Sequence, residues 1–261
     1  MVMNVIDFFI IGVQKGGTTA LHKYLSSHPD IQMPLKKEIH FFNNEDIDWT
    51  SPDYAALHKF FDWTVSGVVR GEATPAYIYW SGAISRIYEY NPNCKLILCL
   101  RHPAYRAYSA YRMYSSTNEE TLSFENAISE IGRSRVKESP RGLHLVYSYV
   151  ERGFYYNQID CLLNIFPRAR VFFMRTDELW NNLSVVLSKI EQFLGVRNII
   201  SGKAIREYIL PLQSKDVSVL SDDNLKKLND IFRSDIMNTS KLIGIDLSDW
   251  CSDDYQEPMR G

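Results

Sequence analysis

The run from Asp7 to Leu25, DFFIIGVQKGGTTALHKYL, constrains the fold more than any other stretch of the chain. Phe8, Phe9, Ile10 and Ile11 form a continuous apolar run, too short to span a bilayer and suited to a buried strand. A turn containing Gly12, Gly16 and Gly17 follows at once, and Leu21, Tyr24 and Leu25 then recur at helical spacing. Glycines at those places open backbone angles that let successive N–H groups converge on an anion. Thr18 or Thr19 is expected to cap the helix, whose N-terminus adds partial positive charge. Lys15 adds a full charge. Strand, glycine turn and helix in this order fit a phosphate-binding loop, and fit equally a purely structural strand-to-helix connection.

Gly12 and Gly17 have the glycine separation of a Walker A loop, but Thr18 stands where that motif requires lysine, which argues against a P-loop kinase or NTPase. With Lys15 inside the turn and Thr18-Thr19 after it, the segment resembles the 5′-phosphosulfate loop of sulfotransferases that use 3′-phosphoadenosine 5′-phosphosulfate (PAPS), most closely their heparan sulfate branch. The resemblance implies that Lys15, Gly16, Gly17, Thr18 and Thr19 bind the co-substrate and that Lys15 also assists catalysis.

Further segments carry the same likeness. Lys37-Glu38-Ile39-His40-Phe41-Phe42 is similar to the family's KE-x-HFF stretch, which implies Glu38 as the base that activates the acceptor and His40 as its neighbour. Without the resemblance, the segment is a solvated charged loop anchored by Phe41 and Phe42. Glu72-Ala73-Thr74-Pro75-Ala76-Tyr77 is similar to E-K-[ST]-P-x-Y, with Ala73 in place of the lysine. The likeness implies that Glu72 faces the active site and that one cation near the transferring group is missing; by itself, Glu72 is an ordinary helix or turn carboxylate. Arg101 and Ser109 match the family's R-x7-S pair, which holds the 3′-phosphate. A guanidinium fork suits phosphate, and a hydroxyl completes its shell. Ser201-Gly202-Lys203 falls where the family carries a basic glycine loop, so Lys203 and Arg206 are candidate 3′-phosphate contacts as well as ordinary surface charge.

Alternation of strand and helix patterns implies an α/β fold: a P-loop-like three-layer sandwich with a central, mainly parallel sheet flanked by helices, in a single domain over residues 1–261. The patterns predict strands at 65–71, 95–100 and 171–174, and helices at 81–90, from Pro103 onward, at 124–131 and at 183–194. They also predict a mobile polar segment over 132–142, a helical stretch over 147–166 broken near Gly153, and an amphipathic helix carrying Leu225, Leu228, Phe232 and Ile236.

A net charge of −2 gives no field that would draw the chain to nucleic acid or to a long polyanion. The N-terminal residues lack the pattern of a secretory signal, and no apolar run reaches membrane-spanning length, so a cytoplasmic location away from membranes is expected. Cys94, Cys99, Cys161 and Cys251 show neither disulfide nor metal-ligand spacing, and reduced thiols with no metal site are expected. Weak acidity and the missing lysine favour a small acceptor, hydroxyl or nitrogen, such as a guanidinium alkaloid of secondary metabolism. Asp46, Asp48 and Glu72 would suit such a cation. The alternatives are a carbohydrate O-sulfotransferase and, in another class, a kinase or a non-catalytic nucleotide-binding protein.

Overall fold

The computed structural model describes residues 4–199, 220–252 and 254–258. Its elements run β1 (Phe8–Gly12), α1 (Thr18–Ser26), β2 (Ile31–Gln32), α2 (Ala55–His58), β3 (Val69–Ala73), α3 (Ala83–Tyr90), β4 (Lys95–Leu100), α4 (Pro103–Ser116), α5 (Phe124–Ala127), α6 (Glu130–Lys137), α7 (Tyr155–Ile165), β5 (Val171–Arg175), α8 (Thr176–Asn181), α9 (Leu183–Leu194) and α10 (Asp222–Ile243). The described residues group into two compact units, one of residues 4–100 and 162–199, the other of residues 101–161, 220–252 and 254–258.

The first unit holds a five-stranded sheet in the order β2-β3-β1-β4-β5, with every pairing parallel. All five residues of β1 are buried, because a strand in the middle of a parallel sheet has helices or loops over both faces. On one face Phe8, Ile10, Ala73, Ile97, Cys99 and Met174 meet Leu21, Tyr24 and Leu25 of α1 and Val186, Leu187, Ile190 and Leu194 of α9. On the other, Phe9 packs edge-on against Phe42 and Tyr90. This is the helix-flanked parallel sheet expected from the sequence.

Local boundaries shift where tertiary pairing decides them. The strand expected at 65–71 starts instead at Val69 and runs to Ala73, because parallel register sets Phe8 opposite Gly71 and Ile10 opposite Ala73. Glu72 is therefore a fully buried strand residue, not a helix or turn carboxylate. Thr18 and Thr19 are the first residues of α1 rather than its cap; Gly17, with φ 87°, is the N-cap. The helix expected over 124–131 splits in two, since the Ser129 hydroxyl accepts from Ile131 N–H and starts a new helix. As a result Gly132 to Lys137 are helical, where a mobile segment was expected.

In the second unit α4 and α10 pack together. Pro103 sits at the first position of α4, as expected, with His102 as its N-cap. The Asp235 carboxylate of α10 accepts from the N–H groups of Tyr155 and Tyr156 and so caps α7, which starts later than the aromatic pattern suggests. The amphipathic helix expected around Leu225, Leu228, Phe232 and Ile236 is α10, of 22 residues. All four cysteines are free, as expected; Cys94 and Cys99 are buried.

Candidate active site

The chain leaves β1 through a turn held at both ends. Val13 N–H donates to Cys99 O at 2.9 Å, Gly16 N–H donates to Val13 O at 2.9 Å, and the Thr176 hydroxyl donates to Gly16 O at 2.8 Å. A Cβ on Gly16 would lie 2.6 Å from the Cys99 carbonyl oxygen, so no side chain fits there. Lys15 takes φ 68° inside this turn. The first N–H groups of α1 lack carbonyls one turn back and point toward the turn, the arrangement that favours an anion.

A second loop lies over the end of β3. Glu38 N–H donates to Ala73 O at 3.1 Å, Ile39 N–H to Glu72 Oε1 at 3.3 Å, and His40 N–H to Thr74 Oγ1 at 3.3 Å. Glu38 and His40 take φ 62° and 59°. Left-handed backbone at a residue with a Cβ costs roughly 1–2 kcal/mol. Among the described residues three of the five non-glycine positions with positive φ are Lys15, Glu38 and His40, so backbone strain concentrates where the sequence places the chemistry.

The Glu38 side chain is flanked by two basic groups. Lys37 Nζ lies 2.5 Å from Oε1 and His40 Nε2 lies 3.5 Å from Oε2. Burial pulls the carboxyl upward, but the His40 bond and the Lys37 charge outweigh it and hold the pKa at about 2. His40 Nδ1 faces Asn43 Oδ1 at 3.1 Å, a second contact that holds the ring in place. Phe41 and Phe42 anchor the loop in an aromatic cluster with Trp49, Tyr54, Tyr77 and Tyr90. Glu72 differs from Glu38 in every respect. It is 0% exposed, burial raises its pKa to about 7 against the bonds from Thr74 and Ile39, and its Oε2 has no partner.

A family model for the sulfotransferase domain matches residues 6–233. The chain belongs to the sulfotransferase domain family. It is 30% identical over 197 residues to human heparan sulfate glucosamine 3-O-sulfotransferase 6, an overlap of 74% of this chain and 53% of that protein. The chain thus spans about half the length of the curated relatives it matches. A solved sulfotransferase from Alicyclobacillus acidocaldarius superposes with TM-score 0.79 at 30% identity, covering 96% of this chain and all of that one. Mouse sulfotransferase SULT7A1 complexed with PAP shares the fold at 14% identity, with TM-score 0.56 and coverage of 93% and 89%.

Within this sulfotransferase domain the first unit brings Glu38, His40, Glu72 and Thr74 together and sets the Lys15 turn on the neighbouring strand. In the second unit Arg101 follows β4 directly and Ser109 lies half-buried on α4. The Arg101 guanidinium is engaged by Glu257, Nε to Oε1 at 2.6 Å and Nη2 to Oε2 at 2.5 Å, beside Tyr255 stacked on His102. Lys203 and Arg206 lie outside the described residues. Sequence reasoning missed Lys37, Asn43 and Thr74 as partners of the Glu38 loop and Glu257 as the partner of Arg101. Lys37 and Thr74 were visible as motif letters, whereas nothing in the sequence points to Glu257. Among the described residues no helix is long and apolar enough to cross a membrane.

Proposed function

We propose that this chain is a single functional sulfotransferase domain that moves the sulfuryl group of PAPS to an oxygen or nitrogen of a small acceptor and releases PAP. One observation carries the reading. The Lys15 turn leaves β1, the Glu38–His40 loop is bonded to the end of β3, and β1 and β3 are adjacent parallel strands with Ile10 opposite Ala73. A basic anion loop and an ionised carboxylate thus occur at the carboxyl ends of neighbouring strands, where α/β sheets bind ligands.

In this reading Lys15 and the N–H groups of Gly16, Gly17, Thr18 and Thr19 hold the phosphosulfate. Arg101 and Ser109 hold the 3′-phosphate, with Lys203 or Arg206 as a further candidate contact. The acceptor atom forms a bond to sulfur in line as the sulfur–phosphate oxygen bond breaks; Glu38 takes the acceptor proton and Lys15 offsets charge on the departing phosphate oxygen. His40 orients Glu38. The contacts to His40 and Lys37 keep Glu38 ionised but weaken it as a base, so an acceptor hydroxyl that displaces Lys37 would raise its basicity in part.

A net charge of −2 and alanine at position 73 favour a small neutral or cationic cytoplasmic acceptor, guanidinium natural products among them, over a polyanion. The second reading, a glycan O-sulfotransferase, draws on the 30% identity to heparan sulfate enzymes. PAP release from PAPS, followed with a panel of hydroxyl and guanidino compounds beside heparan oligosaccharides, separates the two. Turnover with the small compounds alone supports the first reading and turnover with the oligosaccharides alone supports the second. In either case Glu38→Gln should bind PAP like the parent and lose turnover, and an unchanged rate would remove Glu38 as the base.

A further inference from the structure

We infer that Glu72 and Thr74 are positioning residues: buried acceptors that clamp the Glu38–His40 loop in its strained shape and so aim the base, without touching substrate. The inference rests on the assignment of Glu38 as base. Its ground is a residue-by-residue match between two segments more than thirty positions apart in sequence. Three consecutive N–H groups, of Glu38, Ile39 and His40, donate to the Ala73 carbonyl, the Glu72 carboxylate and the Thr74 hydroxyl respectively. The Thr74 hydroxyl in turn donates to Glu72 Oε1 at 2.6 Å, which joins the two side-chain acceptors into one unit.

The clamp requires particular side chains at only two positions of the segment. Positions 72 and 74 contribute side-chain oxygens, whereas position 73 contributes only its backbone carbonyl, so every clamp bond is made with alanine at position 73. It also explains how Glu38 and His40 can hold left-handed backbone conformations: three bonds from a buried strand end over-determine the loop. Glu72 and Thr74 are each 0% exposed, which fits an acceptor for a loop N–H and not a group that meets an acceptor molecule.

Glu72→Gln and Thr74→Ser keep an oxygen acceptor at each position; Glu72→Ala and Thr74→Val remove it, the valine at nearly constant volume. We would measure, for each variant, PAP affinity by titration, kcat for PAPS turnover, and amide hydrogen exchange at Ile39 and His40 by NMR. The expected result is that Glu72→Ala and Thr74→Val lower kcat by about tenfold or more with PAP affinity within about twofold. Exchange should rise about tenfold at Ile39 and His40 respectively, and the Gln and Ser variants should restore most of both. In a Glu38→Gln background, Glu72→Ala should cause no further loss of turnover. Unchanged exchange, a loss through PAP affinity alone, or a Glu72→Ala effect that multiplies with that of Glu38→Gln would overturn the clamp. Raised exchange together with a fully active Glu38→Gln would leave the clamp standing and overturn the assignment of the base.

Discussion

Two carboxylates within one loop-and-strand unit are held in opposite states by their surroundings. Glu38 has its pKa held at about 2 by His40 and Lys37 against burial, so it is ionised throughout the physiological range. Its ionisation should therefore give no acidic limb in kcat/KM between pH 5 and 8. Lys37→Met removes a neighbouring cation, and the expected outcome is an acidic limb displaced to higher pH, read from the pH–rate profile; an unmoved limb would show that Lys37 does not set the charge of Glu38. Glu72 is the reverse case. Burial raises it to about 7 from an unfolded-state value of 4.5, so the group is neutral in both states at low pH. As the pH rises from 4.5 toward 7 the unfolded chain gives up this proton while the folded protein still holds it, so stability falls by up to roughly 3 kcal/mol and levels off above pH 7. Glu72→Gln should accordingly gain stability relative to the parent between pH 5 and 8, and show no such gain at pH 4, in denaturant titrations across pH.

At the scale of elements, the strands and helices that local pattern defines were legible and those that pairing defines were not. β4 and α9 fall where apolar periodicity places them, and Gly195, with φ 81°, caps the end of α9. β3 does not, since its register is set by β1, some sixty residues earlier in the chain. The candidate site shows the same division. Lys15, Glu38, His40, Glu72, Arg101 and Ser109 could be read as motif letters, but the bonds from the Glu38 loop to the end of β3 are tertiary and have no sequence signature. The loop is anchored by Phe42, which is 0% exposed among the rings of Phe9, Phe41, Trp49, Tyr77 and Tyr90. Phe42→Ala is expected to destabilise the protein by about 3–5 kcal/mol in chemical denaturation. In the second unit, Asp235→Ala should remove the cap of α7 and lower stability by about 1 kcal/mol, with the N–H groups of Tyr155 and Tyr156 losing exchange protection.

For the molecule as a whole, family membership and the parallel sheet establish a sulfotransferase domain, and the place of the donor and the choice of acceptor are the proposals to test. The proposed donor contacts are the Lys15 turn to the phosphosulfate and Arg101 to the 3′-phosphate, each within its own unit. Titration calorimetry against PAP, with ATP and magnesium as the competing ligand, tests them most directly. The expected result is PAP binding that ATP with magnesium does not displace, and marked loss of that binding in both Lys15→Ala and Arg101→Ala. Binding of ATP with magnesium and none of PAP, or PAP affinity unaffected by either substitution, would contradict the proposed contacts.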